Sequence, residues 1–160
     1  MAIRTTGSTR SLRAKAAKTL GVLASAAALT ALAQGPASAG TASWTTSYPT
    51  FGNATCSSSA TLSDGKHVMI ACLRYGGGYY QPYTLVMNSN TSTRLLPQTN
   101  PTALGVGYLC DPSSLPGNAT RSCNGPKLSY PSGCNDVRNV THYVWYANKT
   151  LSSPSVRLCG

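Results

Sequence analysis

The chain contains no glutamate, only three aspartates (Asp64, Asp111 and Asp136) and two histidines (His67 and His142). Ordinary glycosidases need a pair of carboxyl groups, and a nucleophilic triad needs a carboxylate or equivalent to orient its histidine. Both inventories are thin, and a ribonuclease built on a catalytic glutamate is excluded outright. No Gly-x-Ser-x-Gly elbow is present to present a serine nucleophile. Structural zinc sites usually contain a close Cys-x-x-Cys-like pair, whereas the nearest cysteines here, Cys123 and Cys134, have ten residues between them. No metal and no cofactor is therefore expected. Past residue 40 there is no apolar run at helical spacing and no block of like charge.

What is present begins with a leader. Arg4, Arg10, Arg13, Lys15 and Lys18 precede the apolar run Leu20 to Ala33, and the small residues Ala37-Ser38-Ala39 follow. This is the order of a secretory signal, with cleavage expected after Ala39. The apolar run is shorter than the about 20 residues a membrane-spanning helix needs. The leader resembles those of exported actinobacterial proteins. Residues 1–39 are thus expected to be removed, leaving a secreted, extracellular chain with no membrane insertion. Its cations Lys66, Arg74, Arg94, Arg121, Lys127, Arg138, Lys149 and Arg157 are scattered against the three aspartates. No nucleic acid is expected as a partner, because nothing tracks a phosphate backbone.

All six cysteines, Cys56, Cys72, Cys110, Cys123, Cys134 and Cys159, lie beyond the leader. An even set in a short exported chain reads as a disulfide framework. Near-neighbour closure would pair Cys56 with Cys72, Cys110 with Cys123 and Cys134 with Cys159. Each bridge would contribute roughly 2 to 4 kcal/mol.

Residues 40–55 read as an N-terminal extended arm, and residues 56–160 as a disulfide-bonded β domain. The arm carries Trp44, Tyr48 and Phe51, more aromatics than a disordered tail would hold. It is expected to pack as a strand of the domain's own sheet, the sharper alternative being addition to a partner's sheet edge. The run from Lys66 to Tyr75 is apolar on both parities until Arg74, as a strand covered on both faces would be. Gly76-Gly77-Gly78 predicts a turn, and Tyr79 to Met87 a returning strand that Pro82 pushes toward a sheet edge or a bulge. Residues 88–100 read as loop, and 102–110 as a short strand interrupted by Gly105 and Gly107. Residues 111–122 read as a closed, exposed loop, and 127–135 as turn-like. Val140 to Tyr146 and Val156 to Cys159 are the later strands. Short strands between turn signals predict an all-β fold, a small disulfide-stapled β-sandwich or barrel-like domain.

Two aromatic groups are the candidate binding residues: Trp44, Tyr48 and Phe51 in the arm, and Tyr75, Tyr79, Tyr80 and Tyr83 around the triglycine turn. Rigid amphipathic rings make recognition surface at low entropic cost, for proteins or for the flat faces of sugars. The Tyr79 and Tyr80 end of the hairpin is expected to be exposed, while Tyr143 and Trp145 serve packing. Arg121, near the end of the Cys110–Cys123 segment, invites a protease-inhibitor reading in which a pre-organised loop fills a cleft. His67 and His142 could act as acid and base on RNA with Lys66 beside them, but each reads more simply as a partly exposed strand residue. Five Asn-x-Ser/Thr sequons, including those at Asn118 and Asn139, read as products of an Asn/Ser/Thr-rich surface.

The leading expectation is a secreted, non-enzymatic protein-binding module: an adaptor subunit of a secreted, antibacterial toxin complex, or an inhibitor of an extracellular enzyme. A carbohydrate or cell-wall-binding, lectin-like domain is the first alternative and a histidine-dependent ribonuclease the second.

Overall fold

A computed structural model describes residues 40–63, 65–96, 98–143 and 149–160. Their strands, in chain order, are β1 (Gly40–Ala42), β2 (Asn53–Cys56), β3 (Ala60–Thr61), β4 (His67–Gly76), β5 (Tyr79–Asn88), β6 (Arg94–Leu96), β7 (Thr99–Ala103), β8 (Val106–Cys110), β9 (Ser113–Leu115), β10 (Thr120–Asn124), β11 (Leu128–Ser129), β12 (Cys134–Val137), β13 (Val140–Tyr143), β14 (Lys149–Ser152) and β15 (Val156–Cys159). The protein is all-β, as the alternation of short apolar strands and turn residues predicts. Among the described residues no helix is long and apolar enough to cross a membrane.

The long hairpin is the spine of the fold. β4 and β5 pair antiparallel from His67↔Asn88 to Gly76↔Tyr79, closed by Gly77 and Gly78 at φ 59° and 82°. Two consecutive positive φ values suit a two-residue type I′ turn, whose twist matches that of the flanking strands. This hairpin lies inside a six-stranded sheet ordered β10-β5-β4-β2, with β3 also on β4 and β11 also on β5. The second sheet is ordered β1-β8-β7-β13-β14.

β5 is therefore not the edge strand that Pro82 suggested. Pro82 lies opposite Leu73 of β4, and on its other side falls between the residues paired with β10 and those paired with β11. Its carbonyl accepts from Gly125 N at 2.8 Å, and a strand residue's nitrogen and carbonyl point to the same side. The missing N–H thus faces the gap where the neighbouring strand is broken, so a central strand tolerates it. Two further expectations are corrected. Residues 88–100 include β6 and the start of β7, and residues 102–110 form the β7–β8 hairpin, reversed at Leu104 and Gly105 with φ 48° and 76°. The glycines that look like interruptions of one strand mark the turn between two.

The sheets meet through a polar layer flanked by two apolar clusters. The Thr84 and Thr141 hydroxyl oxygens lie 2.6 Å apart, joining β5 to β13. Asn139 donates to the carbonyls of Cys72 and Tyr83, and its Oδ1 accepts from Thr102 N and the Thr141 hydroxyl. All three of these polar residues are fully buried, and satisfying them internally avoids the cost of orphaned polar groups. Asn139 consequently cannot be surface, unlike the reading given to its sequon. One apolar cluster comprises Leu62, Met69, Val86, Leu96, Leu115 and Tyr143, and the other Leu73, Tyr80, Ala103, Val137 and Leu158. The small paired sheets β6–β9 and β12–β15 contribute Leu96 and Leu115 to the first and Val137 and Leu158 to the second.

The three disulfides join the cysteines by near-neighbour closure: Cys56–Cys72, Cys110–Cys123 and Cys134–Cys159. The first ties β2 to β4 and the third β12 to β15, each within a strand pair. Cys110–Cys123 instead joins β8 to β10, and so staples one sheet to the other.

Candidate functional site

The arm becomes a strap across the outside of the six-stranded sheet. Its two ends are strands: β1 pairs parallel with β8, and β2 pairs with β4 from Asn53↔Tyr75. Between them, Thr45 exchanges backbone hydrogen bonds with Ser122 at the free edge of β10. The Ser47 carbonyl accepts from Asn124 Nδ2 at 3.1 Å, and the Tyr48 ring lies on the Tyr83 ring of β5. The Pro49 and Gly52 carbonyls accept from Arg74 Nε at 2.7 Å and Nη1 at 3.4 Å. Asn124 opposes Tyr83 and Tyr83 opposes Cys72, two residues before Arg74, so the side chains that bind the strap share one face. The opposite face carries Thr84, Val86 and Met69 into the core. The strap thus meets β10, β5 and β4 in turn before entering the sheet as β2.

Gly52 makes that entry sterically feasible. Its φ is 55°, and a Cβ there would collide with the Tyr75 carbonyl oxygen. Only a residue without a side chain passes so close in this conformation.

The two aromatic groups, far apart in sequence, converge on this face. Tyr48 and Tyr83 stack with centroids 6.3 Å apart and planes inclined by 10°; Tyr48 is 50% exposed and Tyr83 is buried beneath it. Lys127, immediately before β11, places its ammonium 4.6 Å from the ring centroids of both Phe51 and Tyr79. Such exposed cation–π contacts are worth about 0.5 to 1 kcal/mol each, and they tie strap, hairpin tip and β11 together. Burial raises the Tyr83 phenol above its ordinary pKa, the Arg74 guanidinium draws it partly back, and the Tyr48 phenol adds to the rise. Burial likewise raises Tyr80.

Other singled-out residues lie elsewhere. Tyr80 is buried, because successive residues of a strand face opposite ways: Tyr79 is 44% exposed at the tip, while Tyr80 enters the core. Tyr75 packs half-buried on the same inner cluster. Trp44 packs against the other cluster and donates its Nε1 to the Asp111 carbonyl at 2.8 Å, so it anchors the strap. Arg121 is in strand β10, paired with Val86, and residues 111–122 include Leu115, which is fully buried. That segment is not a protruding loop. His67 is buried on the inner face of β4, contrary to the partly exposed reading. His142 is exposed on β13 in the other sheet, with Nδ1 3.0 Å from the Thr150 hydroxyl. The structure does not bring the histidines together. Trp145 and Tyr146 lie outside the described residues.

Beyond the strap, the same outer face continues as a stripe of Val68, Ile70 and Leu85, half-buried, and Met87, exposed. The both-parity apolar run predicts a strand covered on both faces; the structure leaves this outer stripe only partly covered. Its signal was present: the outward-facing positions of β4 and β5 stay apolar where a solvated sheet face would turn polar.

Among the described residues there is no group of three His, Cys, Asp or Glu side chains that could hold a metal ion. Neither a scan against protein-family models nor searches of curated proteins and of solved structures found a match.

Proposed function

We propose that this chain is an exported, non-enzymatic binding domain whose strapped sheet face docks onto another protein, in the manner of an adaptor subunit. The observation that carries this reading is the convergence of Tyr48, Phe51, Tyr79 and Lys127 on one rigid face, with an apolar stripe beside them. Tyrosines held by stacking and by a disulfide-tied sheet lose little freedom on binding. The leader and three disulfides support export. A loop inhibitor is less well supported, because Arg121 lies in a strand. The test is affinity capture of the tagged mature protein from its producer's culture fluid. A stoichiometric partner that the Tyr48→Ser, Tyr79→Ser variant fails to retain supports the proposal; recovery of the wild-type monomer alone counts against it.

A second reading rests on Tyr48. Parallel to Tyr83 and half exposed, it offers a fixed aromatic ring of the kind that packs on the flat face of a sugar. Retention on insoluble cell-wall polysaccharide, lost in Tyr48→Ala, would favour this lectin-like reading over the first.

A further inference from the structure

Among the described residues, the charged side chains on the strapped face are of one sign. Lys127 and Arg74 lie on it, whereas Asp136 pairs with Arg157 across β12 and β15 at 3.7 Å, and Asp111 is at the start of the strap, where its carbonyl holds Trp44. Arg74 is committed to the strap carbonyls. Lys127 is held by two rings, which attract its charge without neutralising it. From Tyr79 to Met87 the face runs for about 27 Å at about 3.4 Å per residue. A standard protein interface covers roughly 800 Å² on each side, a patch of similar breadth.

We infer that this face fits an acidic protein surface, one that sets a carboxylate against Lys127 and apolar side chains over Val68, Ile70, Leu85 and Met87. The inference rests on the binding role proposed above and specifies the partner's chemistry. A second copy of this chain is a poor occupant: a two-fold interface sets the same patch against itself, and the described residues of this patch offer Lys127 no carboxylate. A polyanion without apolar side chains, such as a nucleic acid or a sulfated glycan, is also a poor fit, because such ligands are held by tracks of many cations. Among its described residues this face offers one exposed ammonium, at the hairpin-tip end, and an apolar stripe toward the other end, and the stripe calls for side chains that pack.

The test uses the full mature protein and a fluorescent random copolymer of glutamate and tyrosine, with a lysine–tyrosine copolymer and heparin as comparisons. The acidic copolymer should bind and weaken several-fold from low to physiological salt. Lys127→Glu should weaken it about tenfold, Lys127→Arg should retain it, and Leu85→Asp should reduce it, with circular dichroism spectra unchanged. No binding of the acidic copolymer, equal binding of the basic one, or displacement by heparin at equal affinity would overturn the inference. So would sedimentation as a dimer that Leu85→Asp dissociates. If a natural partner is lost with Tyr48→Ser, Tyr79→Ser yet kept with Lys127→Glu, the acidic partner is refuted while the docking role stands.

Discussion

Tyr48 lies parallel to Tyr83, one ring from the strap and one from the central strand of the sheet beneath it, with centroids 6.3 Å apart. The pair does two jobs that substitution can separate. Tyr48→Ala removes a stacked ring pair worth about 0.5 to 1.5 kcal/mol, and because the ring is half exposed little core packing is lost with it. A thermal melt should show a fall of that order with the sheet spectrum intact. Tyr83→Ala, which empties a buried site, should cost about 3 to 5 kcal/mol.

Gly52→Ala should be more damaging than its exposed position suggests. The left-handed backbone alone costs roughly 1 to 3 kcal/mol for a residue with a side chain, and the new methyl would collide with the Tyr75 carbonyl. Urea unfolding should show the loss. By contrast Gly65→Ala, where a Cβ meets nothing within 4 Å, should cost only the backbone term.

Thr141→Val should destabilise by about 1 to 3 kcal/mol, because it leaves the Thr84 hydroxyl buried without its partner on β13. The double variant Thr84→Val, Thr141→Val should recover part of that loss. A double-mutant cycle measured by chemical denaturation would reveal the coupling, and strict additivity would contradict the arrangement.

The raised Tyr80 and Tyr83 phenols set an alkaline limit on stability. Their ordinary pKa is 10.0, and burial lifts both in the folded state. Above that pH the unfolded chain gives up these protons while the folded chain keeps them, so the unfolded state binds fewer protons and stability falls as pH rises. Below it the two groups contribute no pH dependence. Unfolding midpoints should stay level up to about pH 10 and decline beyond, with a smaller decline in Tyr83→Phe.

Much of the fold was legible because its determinants are local. The Gly77-Gly78 turn, the apolar β-rich runs of β4 and β5, and the cysteine pairing all concern neighbours in sequence. Pro82 misled because its tolerance depends on a break in a different strand, at Gly125. The β7–β8 hairpin was hidden because Leu104 occupies a turn position where glycine or asparagine would have announced it. At the site, exposure of Tyr79 followed from its place at the hairpin tip, but Tyr80 was misjudged where strand alternation should have decided. The arm is expected to pack as a strand of the domain's own sheet, as β1 and β2 do, but the path of the strap between them could not be read, since its contacts with Ser122, Asn124 and Arg74 are between segments remote in sequence.

That remoteness bears on when the face comes into being. The strap is nearer the N-terminus than every residue it lies upon, so it is made early and seated late: Arg74, Tyr83, Ser122 and Asn124 must first be aligned in one sheet. Closing such long-range contacts is deferred until the sheet rewards it. A chain truncated before Asn124 would lack the strap's seat on β10 and with it the strapped part of the face, which therefore reports on completion of the sheet that carries it.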